Sequence, residues 1–140
     1  MPQFVLDTSV IIQWFNYSEE KHVVEAKKIW TDLQAGEISI ILPSILPLEL
    51  LNALVKGKNC SPEKSYLVLA ALFKTQVTIA EISLPVLGLA TKLMEQYNLT
   101  SYDAYFLALA QYEGCKLISD DKKAHGKIKD GTVIMLGQYK

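Results

Sequence analysis

Four carboxylates, Asp7, Glu49, Asp103 and Asp121, stand where apolar segments would carry them to one common edge. Asp7 closes Phe4-Val5-Leu6, Glu49 interrupts the apolar run Ile45–Leu51, Asp103 opens Ala104–Ala108, and Asp121 follows Lys116-Leu117-Ile118-Ser119. Carboxylates gathered in one place repel one another, so such a cluster calls for a cation. Oxygen ligands suit a hard divalent ion such as Mg2+ or Mn2+, which usually takes one or two carboxylates directly while others hold its waters. The chemistry expected there is activation of water for hydrolysis, without a histidine or serine nucleophile.

Each acid also has a plainer role open to it. Asp7 could cap a helix beginning at Thr8, and Thr8 and Ser9 would support either role. Glu49, Asn52 and Lys56 share one helix face at i, i+3 and i+7, the ordinary look of a solvated stripe; Asn52 is the candidate support beside Glu49. Thr100 and Asp103 have the spacing of a hydroxyl cap and an acid that returns the bond. Asp120 and Asp121 are adjacent and cannot both point the same way, so at most one joins the cluster. The hydroxyls of Ser9 and Ser119 could orient neighbouring carboxylates or merely cap helices. These separate roles leave unexplained why acids recur at successive ends of an apolar framework, and the joint pattern therefore outweighs its members.

The elements that must position these residues alternate. Strands are expected at Gln3–Leu6, Ile38–Leu42, Val77–Ile82, Cys115–Ser119 and Thr132–Leu136. Helices are expected near Thr8–Phe15, Glu19–Ala35 and Ile45–Lys56, from the Ser61-Pro62-Glu63 start to about Lys74, from Ser83-Leu84-Pro85 to about Tyr97, and from the Thr100 cap to before Gly114. Nearly continuous apolar strands such as Ile38-Ser39-Ile40-Ile41-Leu42 indicate an α/β fold, a central parallel β-sheet flanked by helices on both faces. In an open parallel sheet the ligand crevice lies beyond the carboxyl ends of the strands. Asp7 and Asp121 fall there, and Glu49 and Asp103 fall in first turns of helices.

The chain of 140 residues, half of them apolar, is expected to form one domain over 1–140. With a net charge of −1 and a pI near 6.1, nothing global marks it as a binder of nucleic acid or membranes, so a polyanion must be held locally or through metal. No stretch reaches the roughly 18 apolar residues of a membrane span, and the first residues carry no basic leader; a soluble, cytoplasmic protein is expected. Cys60 and Cys115 lie far apart without metal-ligand spacing, which argues against a disulfide framework or a zinc site; Cys115 is expected inside a strand. Lys122, Lys123, Lys127 and Lys129, with His125 among them, form a basic segment that either meets substrate phosphates or is simply solvated. Neither His125 nor His22, placed on the charged face of the long helix, is given a catalytic role. Leu67, Leu69, Ala70 and Phe73 could serve dimerisation, with core packing as the default for the helical aromatics.

With these residues in place, the chain resembles the PIN-domain ribonucleases, and specifically the VapC toxins of VapBC toxin–antitoxin pairs. The matching pieces are Phe4-Val5-Leu6-Asp7-Thr8-Ser9-Val10, Leu48-Glu49-Leu50-Leu51-Asn52-Ala53-Leu54, Tyr102-Asp103-Ala104-Tyr105-Phe106-Leu107-Ala108-Leu109-Ala110 and Leu117-Ile118-Ser119-Asp120-Asp121-Lys122. Each is degenerate, while their order and spacing are specific. Carried over by position, Asp7, Glu49, Asp103 and Asp121 match the family's metal-site acids, and Ser119 stands where the family often has threonine. The resemblance implies metal-dependent RNA hydrolysis leaving 5′-phosphate and 3′-hydroxyl ends, a homodimer, and a VapB-like antitoxin whose carboxy-terminal segment occupies the groove. On this reading Asp7 and Asp103 bind Mg2+ or Mn2+ directly, and Glu49 and Asp121 hold its waters or a second ion.

Other α/β folds with an acid at a strand end fit the residues less well. A receiver domain would need further acids just after the first strand, where only Asp7 stands, and a haloacid-dehalogenase phosphatase wants Asp at the position of Ser9. The remaining alternative is a noncatalytic member of the same fold that binds RNA or protein, and retention of all four acids argues against it.

Overall fold

The computed structural model describes residues 1–15 and 22–140. Its centre is a five-stranded sheet built from β1 (Gln3–Leu6), β2 (Ser39–Pro43), β3 (Thr78–Ala80), β4 (Lys116–Ser119) and β5 (Val133–Met135), in the order β3-β2-β1-β4-β5. Every pairing is parallel, as the apolar strands led one to expect. The central strands bury Val5, Leu6, Ile40, Ile41, Leu42, Leu117 and Ile118. Buried on both faces, such strands leave the sequence no room for an alternating pattern. The edges are short strands of three residues each, β3 and β5, a geometry that limits edge-to-edge pairing.

Helices α1 (Thr8–Ile11), α2 (Val23–Gln34), α3 (Leu46–Asn52), α4 (Pro62–Phe73), α5 (Leu84–Tyr97), α6 (Ser101–Tyr112) and α7 (Lys122–His125) connect the strands. A 3-10 turn, Ile12–Phe15, continues α1, and Glu19–Lys21 of the expected second helix lie outside the described residues. The helix expected through Lys56 widens after Asn52 into a π-turn, Ala53–Gly57. The Ser61 hydroxyl accepts from the Lys64 N–H at 3.1 Å, with Pro62 at the first helical position, the start read from sequence. Asn98 ends α5 in the left-handed conformation at φ 55, which its short amide side chain tolerates.

Helix α6 is the buried spine. Ala104 to Ala110 are all buried, so its apolar character runs all the way round, as a core helix requires. Two expectations fail here. Cys115 lies just before β4 and is half-buried rather than inside the strand. On α4 the core takes Ser65, Val68 and Leu72, with Leu69 packed partly against it as the default reading has it, but Tyr66 71%, Leu67 68% and Phe73 62% are exposed; packing therefore does not account for those three. No helix among the described residues is long and apolar enough to cross a membrane.

Candidate active site

From β1 the chain adds strands on one side through β2 and β3, then crosses to β4 and β5 on the other. The switch point lies between β1 and β4, and an open α/β sheet binds ligands outside the carboxyl ends of strands at such a point. The Asp7 N–H donates to the Ile118 carbonyl at 3.0 Å, which carries the β1–β4 ladder to the edge of this crevice.

Helix starts then supply the acids. Asp7 caps α1, its Oδ2 accepting from the Ser9 N–H at 3.0 Å. Asp121 caps α7, its Oδ1 accepting from the Ala124 N–H at 3.0 Å. The Thr100 hydroxyl caps α6 by accepting from the Asp103 N–H at 3.2 Å. Glu49, in the first turn of α3, accepts at Oε1 from the Thr8 hydroxyl at 2.9 Å. For Asp7 and Asp121 the plain role and the functional placement coexist, because a carboxylate has a second oxygen to spare after capping. Asp7, Glu49, Asp103 and Asp121 line one cavity of about 580 Å³, together with Ser9 and Asn52. Glu49 is half-buried there, not part of a solvated stripe.

Asp120 turns elsewhere. Its carboxylate accepts from Gln13 Nε2 at 2.7 Å and pairs with His22 Nδ1 at 2.8 Å, while its N–H donates to the Ser9 hydroxyl at 2.9 Å. His22 thus sits at the start of α2 against this acid rather than on a charged helix face. Of the two adjacent acids, Asp121 is the one in the cavity wall with the other three.

Ser119 and His125 lie behind the acids, both fully buried. The Ser119 hydroxyl accepts from the Asp121 N–H at 3.1 Å and bonds His125 Nδ1 at 2.7 Å. His125 is therefore no part of an exposed basic segment. Its helix is too short for an apolar period to reveal which side faces in, and the lysines around it mask the burial in the sequence. Those lysines are exposed; Lys123 and Lys127 line an adjoining depression with Asn98, Thr100, Asp103 and Asp121.

The protein works against its own negative charges here. Burial holds the Asp7 carboxyl above its ordinary value, partly offset by the neighbouring His125 ring and the Ser9 bonds, with Asp103 repulsion adding to the rise. Burial likewise pushes Glu49 up to about 7, opposed by the Thr8 hydrogen bond and reinforced by Asp7 and Asp103. Carboxyls that resist ionisation where several acids gather are what a hard cation would relieve. Asp7 and Asp103 offer ligand atoms within 4.8 Å of each other and of His125. The site residues fit a divalent ion on that ground.

The model of the family described as PIN domain matches residues 4–129. The chain belongs to the PIN domain family. No curated protein sequence matches it. Among solved structures, a toxin–antitoxin complex from Klebsiella pneumoniae is similar at 23% identity and a TM-score of 0.65, over 94% of this chain and 96% of that one. VapC20 from Mycobacterium tuberculosis, titled a sarcin–ricin loop cleaving toxin, is similar at 16% identity and a TM-score of 0.68, over 89% and 96%. DNA-bound VapBC from Salmonella typhimurium is similar at 15% identity and a TM-score of 0.70, over 97% and 99%. At these identities what is shared is the PIN fold, whose parallel sheet is the one described here.

Proposed function

We propose that this PIN protein is a metal-dependent endoribonuclease, the toxin of a type II toxin–antitoxin pair. The observation that carries the reading is that Asp7, Glu49, Asp103 and Asp121, from four separate segments, line one cavity at the switch point. Similar structures described as a toxin–antitoxin complex, as DNA-bound VapBC and as a sarcin–ricin loop cleaving toxin support the substrate class and an antitoxin partner.

Positive charge at a phosphodiester and a lowered pKa for a nearby water are what a bound Mg2+ or Mn2+ would supply. Asp7 and Asp103 would hold the ion directly, and Glu49 and Asp121 would hold its waters or a second ion. Glu49, pushed up to about 7 when only protein charges surround it, would be drawn down and ionised by a bound cation. Ser119 fixes the Asp121 backbone through its hydroxyl. Asn52, exposed at the cavity wall, is free to touch substrate. Lys123 and Lys127 supply local positive charge to a strand leaving the acids. The exposed Tyr66, Leu67 and Phe73 face of α4 fits pairing with a second copy.

The test is cleavage of a panel of structured and single-stranded RNAs with Mg2+, Mn2+ or EDTA, beside Asp7→Asn. Metal-dependent cutting that yields 5′-phosphate ends and disappears in the variant is expected. A folded, metal-loaded protein that cuts nothing on the panel would favour the noncatalytic reading.

A further inference from the structure

The proposed mechanism leaves His125 without a task, although it is a fully buried polar side chain directly behind the acids. Its Nε2 lies 3.1 Å from the Asp103 carbonyl oxygen, and its Nδ1 lies 2.7 Å from the Ser119 hydroxyl. A carbonyl only accepts, so Nε2 carries the proton in that bond. The Ser119 oxygen accepts from the Asp121 N–H, and with its second lone pair and its own proton it can either accept from Nδ1 or donate to it. In both arrangements Nε2–H donates to the Asp103 carbonyl and every group in the chain of bonds is satisfied. That chain runs from the Asp103 backbone through His125 and Ser119 to the Asp121 backbone, joining the first turn of α6 to the end of β4.

We propose that His125 is a positioning residue, which sets the spacing of Asp103 and Asp121 around the cation through this relay and is not itself a ligand. The inference rests on the metal-site reading of the four acids. One ring nitrogen of His125 also comes within 4.8 Å of ligand atoms on Asp7 and Asp103, so direct ligation is the rival. Ligation by Nε2 would require it to lose its proton and release the Asp103 carbonyl, in favour of an ion that prefers oxygen. A second rival is packing alone, in which an apolar side chain of similar size would serve equally. Hydrogen-bond partners that orient metal ligands typically govern about 10–100-fold in metal affinity or activity.

The test is Mn2+ and Mg2+ binding by calorimetry to the full chain, in wild type, His125→Leu, His125→Gln, Ser119→Ala and Ser119→Thr. It is joined by imidazole nitrogen-15 spectra with and without Mg2+. Expected is a loss of about tenfold or more in Mn2+ affinity for His125→Leu and Ser119→Ala. His125→Gln, which keeps a donor near the Nε2 position, and Ser119→Thr, which keeps the hydroxyl, should recover most of it. Nε2 should stay protonated when Mg2+ is added. An Nε2 that loses its proton on metal binding would make His125 a ligand and overturn the proposal. Wild-type affinity in His125→Leu would reduce it to packing. Should that variant not fold, wild-type affinity in Ser119→Ala would overturn the relay by itself. Absence of ion binding in the wild type would instead bring down the metal-site reading and this inference with it, an outcome distinct from the others.

Discussion

The Thr8 hydroxyl donates to Glu49 Oε1 at 2.9 Å. This bond ties the first turn of α1 to the first turn of α3, across 41 residues of sequence, and aims Glu49 into the cavity. It also opposes the burial that raises the Glu49 carboxyl. Thr8→Val keeps the shape and removes the donor. A hydrogen bond to a charged group contributes about 1.5–3 kcal/mol, and half-burial places this one at the low end. The expected outcome is a fall of roughly tenfold in kcat, the ratio for about 1.4 kcal/mol, with little change in KM for RNA. Steady-state cleavage decides it; unchanged kcat would mean that Thr8 does not position Glu49.

The raised carboxyls make stability depend on pH in a definite direction. Glu49 moves from its ordinary 4.5 to about 7, and Asp7 is also raised. A group that holds its proton more tightly in the folded state contributes stability at low pH, which is lost as pH climbs from the ordinary value through the folded one. In EDTA the melting temperature should therefore fall between about pH 5 and pH 7.5 and then level off as far as these groups control it. Glu49→Gln should flatten that slope, and saturating Mn2+ should raise the melting temperature most at the alkaline end, where ion and proton no longer compete. Melting scans across pH measure it, and an equal slope in Glu49→Gln would remove Glu49 as the cause.

Much of this site can be read in the sequence because helix capping and metal ligation ask for the same residue at the same place. Asp7 and Asp121 stand at strand ends and start helices, and each caps its helix while lining the cavity. The parallel sheet follows from strands such as Ser39–Pro43, whose apolar run has no polar face. What stays hidden depends on tertiary neighbours. Glu49 resembles a solvated helix face until Thr8 reaches it from α1. His125 lies on a four-residue helix among lysines, and its burial comes from Ser119 and Asp103 in other elements. The choice between Asp120 and Asp121 depends on Gln13 and His22, both distant in sequence, which hold Asp120 while Asp121 lines the cavity.

That choice gives two opposite variants. Asp121→Asn removes an acid from the cavity wall and should abolish cleavage while the fold persists, since asparagine also caps helices well. Asp120→Asn leaves the cavity acids intact but weakens the bonds to Gln13 and His22. It should lower stability by about 1–3 kcal/mol, the range for charge-assisted hydrogen bonds in a partly buried setting, and retain cleavage at temperatures where it is folded. Denaturant unfolding and RNA cleavage on both proteins separate the cases; the reverse pattern would move the fourth acid to Asp120.

Lys123 and Lys127 border the acids in a chain whose net charge is −1, so on the proposed reading local charge would have to hold the RNA. Lys123→Gln with Lys127→Gln, made in an Asp7→Asn background that blocks cutting, should weaken binding of single-stranded RNA. Each single-strand phosphate contact contributes about 0.7 to the slope of log affinity against log salt, so the double change should lower that slope by about 1.4. Fluorescence anisotropy at several salt concentrations reads the slope directly, and an unaltered one would leave these lysines as solvated surface.

Among the described residues the α4 face carries an exposed apolar patch, with Leu67 and Tyr66 more than two-thirds exposed. The helix already anchors itself through Ser65, Val68 and Leu72, so a change at Leu67 should cost the monomer no more than about 0.5 kcal/mol. A charge in the middle of a self-paired apolar patch is repeated on the second copy and repels itself. Leu67→Glu is therefore expected to halve the mass seen by light scattering on a sizing column while the melting curve of the dilute protein barely moves. A wild-type chain that already runs as a monomer at high concentration would assign this face to another partner, and the antitoxin would then be the first to try.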